Sequence, residues 1–189
     1  MDITQLILDD HHEQRRLFAI LEQLSPADTT ALSAVWARLS AFLELHAEAE
    51  EEIFYPALLR AGTDSAEEET LDAIHDHNDI RDTIGAVAGH EVGSSGWRAA
   101  VAAVNLANSD HMAEEEREGL TDFRRRAGLQ LRHDLAAQFA AFEARNFAGV
   151  PAVDKDPATY VREAEQMIER SAGRPGPDGS LGIGGLKGP

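Results

Sequence analysis

The sequence contains no cysteine among its 189 residues. Disulfide bonds, thiolate metal ligands and thiol-based catalysis are therefore all excluded. Any metal ion bound by this chain must be held by nitrogen and oxygen atoms, and the 8 histidines and 34 acidic residues are the available donors.

Long hydrophobic runs and basic residues are also scarce. No stretch approaches the roughly 18 apolar residues that span a membrane, and the N-terminal sequence MDITQLILDDHHE lacks the basic and apolar regions of a signal peptide. The 17 basic residues face 34 acidic ones, for a formal net charge of −17. The lack of a signal peptide and of a membrane span predicts a cytoplasmic protein. Because the charge repels phosphate backbones and anionic lipids, we predict no nucleic-acid or membrane partner.

The alternating pattern of β-strands is lacking too, whereas helical periodicity recurs along the chain. Five amphipathic segments are separated by breakers such as the glycine-containing stretch 89–96. The segments span 2–24, 29–60, 66–88, 97–125 and 128–147. Because the linkers are short, successive helices should pack antiparallel. The pattern predicts an all-α, up-down four-helix bundle with an additional C-terminal helix.

The domain organisation follows from composition. With 43% apolar residues, the chain is long enough for one domain with a substantial core. We assign residues 1–147 to the bundle and 148–189 to a C-terminal extension. An amphipathic stretch at about 157–170 predicts a short helix in this extension. From Gly173 onward glycine and proline dominate, which predicts a flexible, disordered tail.

Polar residues interrupt the apolar stripes of the second and fourth segments in the same way. The stripe that includes Phe42 continues as His46 and Glu50 at helical spacing, and on the fourth segment the stripe runs into His111 and then Glu115. A buried carboxylate without a partner costs several kcal/mol, so it is normally protonated or paired with a cation. The repeated His-x-x-x-Glu pattern therefore indicates a metal site.

The first and third segments each carry two histidines, and periodicity distinguishes them. His11 and His77 share their helix faces with aliphatic residues, whereas His12 and His75 share theirs with charged or polar ones. Counting residues to the helix ends places the inward positions of all four helices at one height in the bundle. The predicted metal ligands are His11, His46, Glu50, His77, His111 and Glu115.

Two alternatives accompany this prediction. Taken singly, each histidine is more often a hydrogen-bonded core residue, but two His/Glu pairs and two more inward histidines at one height favour a shared metal site. Tyr55 is a candidate additional ligand or neighbour of the ligands, because Pro56 removes a helical hydrogen bond and distorts that turn. On ideal helix geometry, however, Tyr55 points away from His46 and Glu50, which favours a packing role.

The donor set restricts the metal. Four imidazoles and two carboxylates are more donors than one tetrahedral zinc ion can bind. They also include too many nitrogen donors for calcium or magnesium. If both glutamates bridge two octahedral ions, the protein fills about eight of the roughly twelve coordination positions of the two ions. A bridging oxo or hydroxo group and small exogenous ligands would fill the others. Imidazoles and carboxylates in a bundle core favour two iron ions, with manganese as the weaker candidate.

Four segments resemble the hemerythrin-like, or HHE cation-binding, family: DDHHEQRRLF, LELHAEAEEEIFYPAL, IHDHNDIRDTI and DHMAEEE. The resemblance covers about residues 1–146 and implies an up-down bundle around an oxo- or hydroxo-bridged di-iron centre, with the six predicted ligands at the family's ligand positions. Two departures stand out. Oxygen-carrying hemerythrins have a histidine where this chain has Ala73, and an aspartate follows their last ligand histidine, in place of the Glu115 of this chain.

With one nitrogen ligand fewer than the oxygen carriers, the centre is expected to be more open and reactive. The resulting hypothesis is catalase-like decomposition of hydrogen peroxide in oxidative or nitrosative stress defence, in which one peroxide molecule is reduced and the next is oxidised. The alternative is binding or sensing of O2, NO or iron without turnover. In either case the expected partners are small molecules, namely H2O2, O2 or NO.

Overall fold

The computed structural model describes residues 1–61 and 65–172. The helices are α1 (Ile3–Gln23), α2 (Thr29–Ala49), α3 (Tyr55–Ala61), α4 (Ala66–Val87), α5 (Ser95–Arg117), α6 (Gly119–Arg126), α7 (Leu129–Arg145) and α8 (Pro157–Ala172). A π-helical turn, Glu50–Phe54, joins α2 to α3. No strand occurs among the described residues. In the same part of the chain, none of the helices combines the length and hydrophobicity that crossing a membrane requires.

Four helical columns form the bundle: α1, then α2 with the π turn and α3, then α4, then α5 with α6. The most extensive packing joins α4 to α5 and α1 to α2, and α7 lies against α1 and α2. Helix α8 packs on α3 and α4. The predicted all-α bundle with an additional C-terminal helix is confirmed.

Side-chain caps fix where three of these helices begin. The carboxylates of Asp2 and Asp28 and the hydroxyl of Ser94 accept hydrogen bonds from backbone N–H groups in the first turns of α1, α2 and α5, at 3.0 to 3.1 Å. Such a cap satisfies an otherwise unpaired N–H group and contributes about 1 kcal/mol. Because the caps set the helix starts, they also set the height at which each inward residue lies.

Both helices that carry a His-x-x-x-Glu pair depart from regular α geometry at or just after the glutamate. The predicted segment 29–60 changes to a π turn at Glu50. The predicted segment 97–125 breaks at Glu118, whose backbone angles are φ −110° and ψ −79°. Periodicity alone did not predict either break.

The apolar interior consists of two clusters. The first includes Ile3, Ile7, Phe54, Phe123 and Phe139. The second includes Leu17, Leu32, Leu39, Trp97 and Val104. Along α1, His11 lies between Ile7 of the first cluster and Leu17 of the second. A polar layer therefore separates two hydrophobic regions that shield it from solvent at both ends of the bundle.

The C-terminal extension continues past the bundle to α8. Its helix covers the predicted stretch 157–170 and is two residues longer. Val161 and Ala164 are 3% and 2% exposed, so this helix has a buried face against the bundle. The predicted disordered tail, from Gly173 onward, lies outside the described residues.

Candidate metal centre

The structure brings the six predicted ligand side chains together in the polar layer. They come from α1, α2, the first residue of the π turn, α4 and α5. All are buried, with exposed fractions between 0% and 6%. By contrast His12 and His75, which periodicity assigned to solvent, are exposed at the surface.

Glu50 lies between two pairs of histidines. Its Oε1 atom is 3.0 Å from Nε2 of His46 and 4.0 Å from Nε2 of His11. Its Oε2 atom is 3.4 Å from Nε2 of His77, which in turn lies 3.1 Å from Nε2 of His111. Two groups of donors result, each able to hold an ion, with Glu50 in both. We call them the His11 half, with His46, and the His77 half, with His111.

Glu115 completes the set through different contacts. Its Oε2 atom lies 3.4 Å from Nε2 of His11, and its Oε1 atom accepts a hydrogen bond from the Tyr55 hydroxyl at 2.9 Å. Burial raises the pKa of Glu115 well above its ordinary value, and the charge of Glu50 adds to the effect. Two buried carboxylates in one site favour a proton or a cation between them.

Several of the predicted ligand atoms make no well-aligned hydrogen bond although they are fully buried. These atoms are Nε2 of His11 and His46, both carboxylate oxygens of Glu50, and Oε2 of Glu115. Each such atom costs about 1–3 kcal/mol, and buried polar groups without partners are rare for that reason. Coordination to metal cations would satisfy all of them. The donor set therefore fits a pair of metal ions, with imidazole nitrogen and carboxylate oxygen as ligands.

Each histidine turns Nε2 towards the centre and Nδ1 towards a carboxylate on a neighbouring helical column. The pairs are His11 with Glu116 at 2.9 Å, His46 with Asp10 at 3.1 Å, His77 with Glu51 at 2.8 Å and His111 with Asp76 at 3.5 Å. We call these four acidic residues the orienting carboxylates. A carboxylate at Nδ1 holds the ring proton on that nitrogen, so the Nε2 lone pair is available to a metal.

The orienting carboxylates form a closed cycle around the bundle. Each follows or precedes a predicted ligand in the sequence: Asp10 precedes His11, Glu51 follows Glu50, Asp76 precedes His77 and Glu116 follows Glu115. A carboxylate on α1 thus orients a histidine on α2, and a carboxylate on the π turn orients a histidine on α4. A carboxylate on α4 orients a histidine on α5, and a carboxylate on α5 orients the histidine on α1. Sequence reasoning missed these four residues, although an acidic neighbour beside each helix's ligand was a visible signal.

The expectation that Tyr55 points away from the site is wrong. In the π turn the N–H of Tyr55 donates to the carbonyl of Glu50, five residues earlier, which widens the helix and rotates the residues that follow. Tyr55 is therefore 1% exposed and donates its hydroxyl hydrogen to Glu115. Burial raises the pKa of Tyr55 well above its usual value, and nearby carboxylates add to the shift, so the phenol keeps its proton.

Burial and carboxylate contacts act in opposite directions on the four imidazoles. Burial lowers the pKa of His11 to about 4 and also lowers that of His111, so both rings are neutral at pH 7. Burial opposes the charged form of His46 and His77 as well, but the carboxylates around them raise both pKa values. Because a metal binds the neutral ring, loading the centre is expected to release protons.

Comparison with known proteins places this geometry in a family. The model of the hemerythrin HHE cation-binding domain matches residues 2–121, a range that contains all six predicted ligands. The chain belongs to this family. As a hemerythrin HHE protein it is a cation-binding protein, which confirms the resemblance noted in the sequence. No match was found among curated proteins.

A solved structure shows the same hemerythrin-like fold. It is the crystal structure of a hemerythrin HHE cation-binding domain-containing protein from Mycobacterium kansasii, with a TM-score of 0.66 and 17% sequence identity. The similarity covers 86% of this chain and 98% of the other. The match extends beyond the family model, so part of the C-terminal region also follows the shared fold.

A cavity of about 220 Å³ connects the hemerythrin-like centre to the surface on the side of the His77 half. Its inner lining includes Tyr55, Ala73, His111 and Glu115. The remaining charged lining is acidic and consists of Glu68, Glu69, Asp72, Asp76, Glu114 and Glu118. None of the described residues that line this cavity is a lysine or an arginine. A small molecule can therefore approach one half of the centre through a negatively charged entrance.

Proposed function

We propose that this protein holds two iron ions in the centre and uses them for catalase-like decomposition of hydrogen peroxide, in cytoplasmic defence against oxidative or nitrosative stress. The observation that carries the proposal is the cavity, because it leads from the surface to His111 and Glu115 in an otherwise buried donor set. Hydrogen peroxide is small and uncharged, so the acidic lining admits it while repelling anions.

The residues fit iron better than the other common ions. The His11 half and the His77 half each offer two imidazoles and one oxygen of Glu50, and Glu115 lies beside His11. This set has no sulfur ligand and more nitrogen than magnesium or calcium prefers. When bound, two redox-active ions supply the electrons by which one peroxide is reduced to water and a second is oxidised to O2.

Tyr55 and Glu115 are placed to handle protons at the inner end of the cavity. The Tyr55 hydroxyl donates to Oε1 of Glu115 at 2.9 Å, and both residues line the cavity. Decomposition of two peroxide molecules moves protons from the oxidised molecule to the reduced one. A hydrogen-bonded phenol and carboxyl group can hold such a proton and return it without exchange with bulk water.

Ala73 supports turnover over oxygen carriage. Ala73 is 8% exposed and lines the cavity beside the centre. By the family resemblance, oxygen-carrying hemerythrins place a histidine at this position, which adds a ligand and occupies space. Alanine leaves both the coordination position and the approach to it open, as a reaction with peroxide requires.

Iron or small-ligand binding without turnover is the second candidate function. The acidic lining of the cavity favours it, since carboxylates raise the local concentration of cations such as Fe²⁺. Uncharged O2 and NO would also pass this lining. Turnover distinguishes the two functions, because a carrier or sensor would bind its ligand without evolving oxygen from peroxide.

The test combines elemental analysis with optical spectra and an oxygen electrode in one cell during addition of hydrogen peroxide. We expect about two irons per chain, as two-metal sites hold, and one O2 evolved for every two peroxide molecules consumed. His111→Ala should lose metal and activity, whereas the matched surface variant His75→Ala should retain both. Two irons without oxygen evolution would overturn the catalase proposal in favour of binding or sensing. A chain that takes up no metal would overturn both.

A further inference from the structure

Lys155, in the extension after the bundle, contacts one of the orienting carboxylates. Its Nζ atom lies 2.6 Å from Oε2 of Glu51 and 3.2 Å from each carboxylate oxygen of Glu48. Glu51 is 1% exposed. Its other oxygen, Oε1, accepts a hydrogen bond from Arg81 at 2.9 Å and lies 2.8 Å from Nδ1 of His77. Lys155 is thus two contacts away from a predicted metal ligand.

The backbone around Lys155 is fixed to the same region. The side-chain amide of Asn78 donates to the Lys155 carbonyl at 2.8 Å, and the Lys155 N–H donates back to Oδ1 of Asn78 at 3.1 Å. Asn78 directly follows His77. From α8, the Tyr160 hydroxyl donates to the backbone carbonyl of Glu51, within the π turn. The extension therefore contacts Asn78, which follows His77, and Glu51, which follows Glu50.

Glu51 differs from the other three orienting carboxylates in its surroundings. The side chains of Asp10, Asp76 and Glu116 are 18%, 33% and 28% exposed, so water can solvate their charges. The Glu51 side chain is 0% exposed. A buried carboxylate needs internal cations or hydrogen bonds. Here Arg81 donates a hydrogen bond to Oε1, and Lys155 forms an ion pair with Oε2.

The charge state of Glu51 agrees with this arrangement. Burial opposes the charged form, but the hydrogen bond and the charge of His77, followed by the contacts with Arg81 and Lys155, outweigh it and lower the pKa of Glu51 to about 2. Without Lys155, Oε2 of Glu51 would be buried with no cation beside it. A carboxylate with both oxygens drawn towards Arg81 would then hold the His77 ring less well.

We propose that Lys155 is a positioning residue of the metal centre: by pairing with Oε2 of Glu51 it fixes the carboxylate that orients His77. The proposal rests on the proposed metal centre and adds a role for the C-terminal extension, which lies beyond the residues matched by the family model. The bundle alone supplies the ligands, and the extension supplies the cation that keeps one of them in place.

The experiment compares full-length wild-type protein with Lys155→Met, Lys155→Arg and a control, Arg132→Met. Arg132 is a similarly buried cation that pairs with Asp2, away from the orienting carboxylates. In metal-free protein, ¹⁵N NMR of the imidazole rings reports the hydrogen bond at Nδ1 of His77. In protein loaded with Co²⁺, the visible spectrum reports coordination, and release to excess chelator reports how firmly the ion is held.

We expect Lys155→Met to shift the His77 ring signals and to speed Co²⁺ release by about tenfold, the low end of the effect of losing a partner of a ligand. Lys155→Arg should restore both, and Arg132→Met should change neither. Unchanged His77 signals in Lys155→Met, or equal effects in Arg132→Met, would overturn the proposal. A wild-type chain that binds no Co²⁺ or iron would instead count against the metal centre, while the NMR comparison would still decide the role of Lys155.

Discussion

The two halves of the metal centre have the same donor types but different surroundings. The His11 half is enclosed: the ring of His46 lies 6.1 Å from that of Phe139 on α7 and 6.3 Å from that of Phe42. The His77 half faces the cavity through His111. The orienting carboxylate of His111 is also the most exposed of the four and the farthest from its histidine, at 33% and 3.5 Å.

This difference indicates different roles for the two halves, although both offer the same types of donor atoms. Enclosure by aromatic rings excludes water and holds an ion firmly, whereas a loosely oriented histidine at the end of a cavity leaves room for an incoming molecule. If the proposed centre forms, the His11 half would retain its ion and the His77 half would meet the substrate.

Removal of a ligand should have the largest effect. We expect His46→Ala and His111→Ala each to lower the metal content from about two ions per chain to about one or none, because each removes a nitrogen from a different half. Elemental analysis after identical loading measures this. His12→Ala and His75→Ala are the matched surface controls and should retain full metal. Full retention in His46→Ala and His111→Ala would show that these residues are not ligands.

Closing the cavity should affect the rate and leave the metal in place. Ala73→Leu fills the space beside His111, so we expect peroxide consumption to slow by about a hundredfold, equivalent to ~2.7 kcal/mol of barrier. The metal content should not change, since Ala73 is not a ligand. Steady-state kinetics with metal analysis on the same sample measures both quantities. An unchanged rate would mean that substrate does not reach the centre through the His77 half.

Tyr55→Phe tests the donor at the inner end of the cavity. In metal-free protein the variant leaves the buried carboxyl of Glu115 without its 2.9 Å hydrogen bond. We expect the free energy of unfolding to fall by about 1–2 kcal/mol, measured by urea denaturation. Equal stability of the two proteins would argue that Glu115 finds another partner when the hydroxyl is removed.

The last prediction concerns the pH dependence of stability on the enclosed side. Burial, with the charge of Asp10, raises the pKa of Glu143 to about 8. An unfolded glutamate has a pKa of about 4.3, so between about pH 4.3 and 8 the folded state holds a proton that the unfolded state has lost. The stability of the metal-free protein should therefore fall as pH rises through this window.

Glu143→Gln should remove this part of the slope. The variant keeps a neutral hydrogen-bonding group beside Asp10, the orienting carboxylate of His46. Urea midpoints of wild type and variant at pH 5 and pH 8 provide the measurement. Parallel losses of stability in both proteins would assign the slope to other groups, such as the carboxylates near the cavity.

Periodicity was enough to predict the bundle and the inward positions. The face shared with aliphatic neighbours distinguished His11 from His12 and His77 from His75, because α1 and α4 are both regular over those turns. Counting along regular helices also put the ligands at one height. These inferences depend only on local geometry, which the sequence specifies directly.

The remaining parts of the site depend on irregular backbone or on contacts between distant segments. The π turn inserts one residue into the helical repeat, so Glu50, Glu51 and Tyr55 are all buried although no single α-helical face contains them. Lys155 reaches Glu51 across 104 positions of sequence. Each orienting carboxylate stands next to a predicted ligand in the sequence, but with 34 acidic residues in the chain that position does not show which histidine on another column it contacts.

The closed cycle of orienting carboxylates has a consequence for how the protein assembles. Each helical column supplies predicted ligands and also the acidic group that contacts Nδ1 of a histidine on the next column. A folding intermediate with two or three docked columns would contain histidines that are free to rotate and would bind metal weakly. High-affinity metal uptake should therefore appear only in the final docking step. Bound metal would then stabilise the native state and slow its unfolding.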